Sequence, residues 1–282
     1  MPQTIIDLLN KAAEVNNTDK FRRGNVIYLP AGARLIVAGD IHGHRRNFER
    51  ILAFADLPNN PDTHILLQEI IHGGPEDAQG GCLSYKLFFD IARYKLTFPD
   101  RVHIIMGNHD IAFINNSEIM KDGKEMNHSM HSAMQREFQQ ATPDVELAIK
   151  QLLLSQPLAV KCENRIWLSH SLPDGRFVDK FDRGILDRPL DTGDYEKPGS
   201  AYLLTWGRNF SQKTLDKMAE LLDVDIFILG HQPQDQGWDR PGRNLLIIAS
   251  DHNHGCLLHF DLDKSYTVEM LIESIVPLAS IS

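Results

Sequence analysis

Asp40 and His42 stand two residues apart at the end of the apolar run that begins at Arg34, and the same design recurs down the chain. The run from His64 ends at Glu69, and the run from Val102 ends at Asn108, His109 and Asp110. The run from Arg165 ends at His170, the run from Asp225 at His231, and the run from Leu245 at Asp251, with His252 and His254 just beyond. Core packing accounts for the runs. It does not account for an imidazole, carboxylate or amide at every end. Asp, His, a further carboxylate, Asn, His and His from separate strand ends make the ligand set of a two-cation centre, in which a shared carboxylate bridges ions about 3.5–4 Å apart. Such a pair polarises a phosphoryl group, lowers the pKa of a bridging water and clamps an in-line displacement. Mixed imidazole and carboxylate donors suit manganese, iron or zinc better than magnesium or calcium.

Positioning these donors requires buried strands whose ends converge, as in α/β folds. The alternation from residue 34 to 107 reads strand, helix (47–56), strand (64–70), helix (83–94), strand (102–107), which implies parallel pairing with helical crossovers. Residues 3–16 have the spacing of an amphipathic helix, and 25–30 that of a short strand. From about 115 to 154 four methionines sit in a polar, helix-favouring background with His128 and His131, which predicts a helical insertion. The methionines read as core filling and the two histidines as exposed. Residues 157–162 and 165–169 resemble a hairpin, 172–200 an irregular loop, and 211–222 a helix capped by Ser211. Three short strands over 245–251, 255–261 and 266–272 predict a closing antiparallel meander.

The hydrophobic fraction of 42% and charged fraction of 24% are those of an ordinary globular chain, without an apolar stretch long enough to span a membrane and without a signal-peptide pattern. The three cysteines have no ligand spacing and read as reduced thiols of a cytoplasmic protein. A net charge of −9 argues against binding a nucleic-acid duplex. It does not argue against a phosphorylated substrate, because two divalent cations would dominate the local field. Of 13 histidines, eight lie at or just past the strand ends, a concentration that random surface placement does not produce.

In residues and order the chain resembles the calcineurin-like metallophosphoesterases, on their phosphoprotein-phosphatase branch. Gly39 to Gly43 matches the family's Gly-Asp-x-His-Gly, and Gly107 to Asp110 matches Gly-Asn-His-Glu/Asp. His170 and His231 fit the two later histidines, and Thr205 to Arg208 resembles the segment that carries a phosphate-binding arginine. The resemblance implies a single domain over residues 1–282, built as a two-sheet β-sandwich flanked by helices in four layers, α/β/β/α. It implies that Asp40 and His42 hold one metal, that Asn108, His170 and His231 hold the other, and that Glu69 bridges. His109 would protonate the leaving alkoxide and Arg208 would grip the phosphate oxygens.

The departure is the second motif. Where the family has Gly-Asp-x-x-Asp-Arg-Gly, this chain has Gln68, Glu69, Ile70, Ile71, His72, Gly73 and Gly74. The carboxylate that would orient His109 is His72, and the arginine is Gly73. Arg45, just past the first motif, is one candidate for the missing clamp, with Arg46, Asp251 and His254 as others. The expected activity is dinuclear hydrolysis of phosphomonoesters by metal-bound hydroxide, on a protein, nucleotide or small-molecule phosphate. Hydrolysis of dinucleoside polyphosphates and a catalytically weak binding scaffold are the alternatives.

Overall fold

Leu35, Val37 and Leu66 are buried in one apolar cluster and Ile36, Ala38, Ile65 and Leu67 in another, the mark of strands covered on both faces. The computed structural model describes residues 2–282. The chain begins with α1 (Pro2–Asn17), β1 (Arg22–Arg23), β2 (Val26–Leu29) and β3 (Arg34–Asp40). The expected alternation follows as α2 (Arg45–Ala55), β4 (Thr63–Gln68), α3 (Ser84–Thr97), β5 (Val102–Ile105) and α4 (Asn108–Asn115), with β3, β4 and β5 parallel. The next segment holds β6 (Met120–Lys121), β7 (Lys124–Glu125), α5 (Met126–Phe138) and α6 (Thr142–Leu154). Then come β8 (Ala159–Cys162), β9 (Ile166–Ser169), α7 (Ser200–Trp206), α8 (Gln212–Leu222) and β10 (Ile226–Leu229). The last elements are β11 (Trp238–Gly242), β12 (Leu245–Ile248), β13 (Cys256–Asp261), α9 (Val268–Ile272) and β14 (Ile275–Pro277).

The strands form two main sheets, β1-β2-β8-β9-β10-β12-β11 and β14-β13-β3-β4-β5. Their inner faces share one apolar layer, with Leu35, Val37 and Leu258 of one sheet clustered with Ile27, Leu168, Ile228 and Leu246 of the other. Helices cover the outer faces: α2 and α3 lie on β4 and β5, while α8 packs Leu215 against Gly242 at the end of β11. This is the four-layer α/β/β/α arrangement. At one end the two sheets join. Asp40 forms a parallel bridge with Ala249, and the Gly39 N–H donates to Ser250 Oγ at 2.9 Å. A Cβ at residue 39 would lie 1.9 Å from the Ile248 carbonyl oxygen, so this seam requires glycine.

Two expectations fail. The 266–272 stretch is not a strand of a meander: Thr267 accepts from Met270 N at 3.3 Å as an N-cap, and α9 buries Val268 and Leu271. β12 and β13 also belong to different sheets, so no meander closes the chain. The 115–154 segment is helical in α5 and α6 but opens with the hairpin β6–β7. Met126, Met130 and Met134 are core residues as expected, whereas Met120 is exposed.

Candidate metal centre

The loops that follow β3 and β4 carry the first half of the centre and are hydrogen-bonded together. The Ile41 and His42 amides donate to the Glu69 carbonyl at 3.2 and 2.8 Å, and Gly43 N donates to Ile70 O at 2.8 Å. His42, Glu69, His72 and His231 all have positive φ, between 41° and 68°. For residues other than glycine each such conformation costs about 1–3 kcal/mol and persists where the surroundings enforce it, commonly at functional sites. Gly73 has φ 138°, and a Cβ there would meet the His42 carbonyl oxygen at 2.7 Å. An arginine does not fit this backbone.

Glu69 lies at the centre, buried. Its Oε1 accepts from the His109 amide at 2.8 Å, and its Oε2 lies 2.7 Å from His170 Nε2. Two triads whose donor atoms lie within 4.8 Å of one another share it: His42, Glu69 and His109, and Glu69, His170 and His231. Asn108 Oδ1 lies 2.9 Å from His170 Nε2 and 2.7 Å from His231 Nδ1. Asp40 flanks the cluster, its Oδ1 accepting from His231 N at 2.9 Å and its Oδ2 lying 3.9 Å from His42 Nε2. α4 delivers Asn108 and His109 from its first turn, where the buried Asp110 accepts from Gly107 N at 2.9 Å.

The hydrogen bonds behind the cluster select the tautomers. His42 Nδ1 lies 3.0 Å from Ile71 O and must donate to it, so a neutral His42 presents a lone pair at Nε2. Gln68 donates from Nε2 to Ala38 O at 3.1 Å, which turns its Oε1 toward His170 Nδ1 at 2.8 Å. A neutral His170 then carries its lone pair at Nε2, facing two further acceptors, Glu69 Oε2 and Asn108 Oδ1. Three acceptors converging on one point are mutually repulsive unless a proton or a metal cation lies among them. The donor set therefore fits a metal ion.

Charge supports the same conclusion. Burial pushes the Asp40 carboxyl up to about 6 and Glu69 up to about 8, and it pushes His42 and His72 down to about 3. Burial also lowers His170, His231 and His109 and raises Asp110. The imidazoles of His42, His170 and His231 are thus neutral, as metal ligands must be, and the carboxylates lack the positive charge that divalent cations supply.

His72 Nδ1 lies 3.1 Å from His109 Nδ1, so one ring donates to the other. The exposed Arg208 is anchored by Nε to His231 Nε2 at 3.0 Å, with its amide held by Asp174 Oδ1 at 2.7 Å. Its guanidinium stands at the rim of the cluster. Arg45 is not brought to the site. As the first residue of α2 it points outward and pairs with Asp90 on α3 at 2.6 Å, half exposed. Arg45→Ala is expected to leave kcat and KM unchanged, since an exposed pair of this kind contributes little; steady-state kinetics on any accepted phosphoester would check this. Sequence reasoning missed Gln68 as the partner of His170. Its signal was a polar residue placed directly after the buried apolar run Ile65 to Leu67.

A family model for calcineurin-like phosphoesterases matches residues 33–235. A serine/threonine-protein phosphatase of Caenorhabditis elegans is 22% identical over 231 residues, which cover 76% of this chain and 46% of that protein. Serine/threonine-protein phosphatase 5 of Solanum lycopersicum is 19% identical over 257 residues, 83% of this chain and 43% of that one. The chain therefore spans less than half the length of these curated relatives. Among solved structures, a protein serine/threonine phosphatase from Saccharomyces cerevisiae superposes with a TM-score of 0.69 at 14% identity, covering 92% of this chain and 82% of that one. A cold-active protein-tyrosine phosphatase of a psychrophilic Shewanella gives 0.60 at 15% identity, with coverages of 89% and 80%. Both share the two-sheet fold.

Proposed function

Because the chain belongs to the calcineurin-like phosphoesterases, we propose that it is a phosphatase of their phosphoprotein-phosphatase branch, which hydrolyses phosphomonoesters with two divalent transition-metal ions. The observation that carries this reading is that the Glu69 carboxylate lies within 4.8 Å of a His42 nitrogen on one side and of His170 and His231 nitrogens on the other. Asp40, His42 and Glu69 would hold one ion, and Glu69, Asn108, His170 and His231 the other. Bound there, the ions would supply Lewis-acid polarisation of the phosphoryl group and a water acidic enough to react near neutral pH. Manganese is our first assignment, with iron or zinc suited to the same donors.

The chain's own residues do the rest in this reading. Arg208 binds the non-bridging oxygens from the rim, holding the phosphoryl group in line. His109 gives a proton to the leaving oxygen, and His72 orients its ring through Nδ1. Gln68 keeps His170 in the tautomer that can ligate. A protein, nucleotide or small-molecule phosphate presents the same group, and the 172–200 loop beside Arg208 is where we place selectivity. We treat residues 1–282 as one domain with its insertion at about 115–154. A cytoplasmic setting is part of the same proposal; among the described residues no helix is long and apolar enough to cross a membrane.

The test is elemental analysis after manganese loading, followed by assay on a panel of phosphomonoesters. Two ions per chain are expected, with activity that vanishes with a chelator and returns with manganese. A stoichiometry near zero would sink the reading.

A further inference from the structure

Arg208 covers the His231 side of the cluster, and a different cation stands beside the loop that carries His42. Lys121 lies at the end of β6, where Asp122 and Gly123 form a two-residue turn with positive φ at both positions, 52° and 77°. Such turns fix a hairpin tightly. Lys124 fastens the second strand by donating to Gly80 O at 2.9 Å and pairing with Glu76. The hairpin thereby borders the loop of Gly73 and Gly74, with which Lys121 and Lys124 line a small shared cavity.

From there Lys121 Nζ reaches Asp251 Oδ2 at 3.0 Å, and only 24% and 20% of the two side chains are exposed. Asp251 lies two residues beyond Ala249, the bridge partner of Asp40. Its loop is pinned by the buried Asn47, whose Nδ2 donates to Ser250 O at 2.8 Å and His252 O at 2.9 Å. An ammonium has three donors, and among the described residues Lys121 gives one, to Asp251. Gly73, which shares that cavity, lies against His42, where a Cβ at residue 73 would come within 2.7 Å of the His42 carbonyl oxygen, so Lys121 stands beside the loop that carries His42.

We propose that Lys121, anchored by Asp251, is a second phosphate clamp that binds the phosphoryl oxygens on the His42 side, opposite Arg208. This rests on the phosphatase reading above. The insertion then returns from outside the second motif the positive charge that the Gly73 backbone cannot carry.

The experiment compares wild type, Lys121→Met and Lys121→Arg, all manganese-loaded, by calorimetric titration with inorganic phosphate and by kinetics on 4-nitrophenyl phosphate. Lys121→Met should bind phosphate about ten- to a hundredfold more weakly, the loss expected for one charge-assisted hydrogen bond. KM should rise by a similar factor with a smaller change in kcat, while manganese content and melting temperature stay at wild-type values. Lys121→Arg should recover most of the affinity. If wild type hydrolyses the ester and Lys121→Met matches it in phosphate affinity and KM, the clamp is refuted and the phosphatase reading survives. A Lys121→Met protein that loses its manganese along with its phosphate affinity also refutes the clamp. If manganese-loaded wild type neither binds phosphate nor hydrolyses a phosphoester, the phosphatase reading falls and takes this proposal with it.

Discussion

His109→Asn is expected to slow hydrolysis of an alkyl phosphate by about 10²–10⁴-fold, the range for removal of a general acid. An alkoxide is a poor leaving group and needs its proton in the transition state. An activated aryl phosphate needs it much less, so its hydrolysis should slow far less. The geometry supports a mobile proton here, because His109 Nδ1 is engaged by His72 at 3.1 Å and the ring edge lies beside Glu69. The pH profile gives an independent readout. The acid works only while protonated, so the rate falls as pH rises through its pKa. Burial first, and then the neighbouring His42 and His72 rings, push that pKa below the ordinary 6.5. His72→Asp replaces a neutral partner with an anion, which favours the imidazolium, and should move the fall to higher pH. Equal losses on alkyl and aryl esters in His109→Asn would assign His109 a structural role instead.

Glu69→Gln is expected to empty both metal positions together. One carboxylate oxygen faces the His109 side and the other faces His170, so Glu69 belongs to both triads. Removing that charge weakens each ion's binding at once, and metal content should fall from two per chain toward zero rather than stop at one. Glu69→Asp should keep binding without a gain in activity, because the shorter side chain draws the carboxylate back from the His109 amide and His170 that it now reaches. His72→Ala should keep both ions and change only the rate or its pH dependence. A Glu69→Gln protein that holds two ions tightly and remains fully active would mean that the bridging carboxylate is elsewhere.

Most of the cluster could be read from the sequence because its candidate donors follow strands. An apolar run that stops at Asp40, Glu69, Asn108, His170 or His231 identifies both the strand and the donor at its end, and parallel pairing brings those ends together. Arg45 misled for a local reason: it is close to His42 in sequence, but the helix that starts there turns its side chain toward Asp90. Lys121 was illegible for the opposite reason, since nothing near it in sequence belongs to the site and only the hairpin's placement brings it there. That hairpin had one local mark, Asp122 followed by Gly123, inside a segment whose composition favours helix. The 266–272 stretch failed because a short apolar run fits either period, and the Thr267 cap decided for helix.

The seam between the two sheets has a thermodynamic consequence. Asp40, His42, Glu69 and Asn108 come from one sheet, and His170 and His231 from the other, so ions bound among them are cross-links between the halves of the sandwich. Ion binding and resistance to unfolding are then one coupled equilibrium, since the unfolded chain offers no such site. Parting the sheets means releasing the ions, and removing the ions leaves buried carboxylates and imidazoles facing one another across the joint. With two ions bound as proposed, a chelator is expected to act on this protein as a denaturant as well as an inhibitor, and scarcity of metal in the cell to shorten its lifetime as well as silence it.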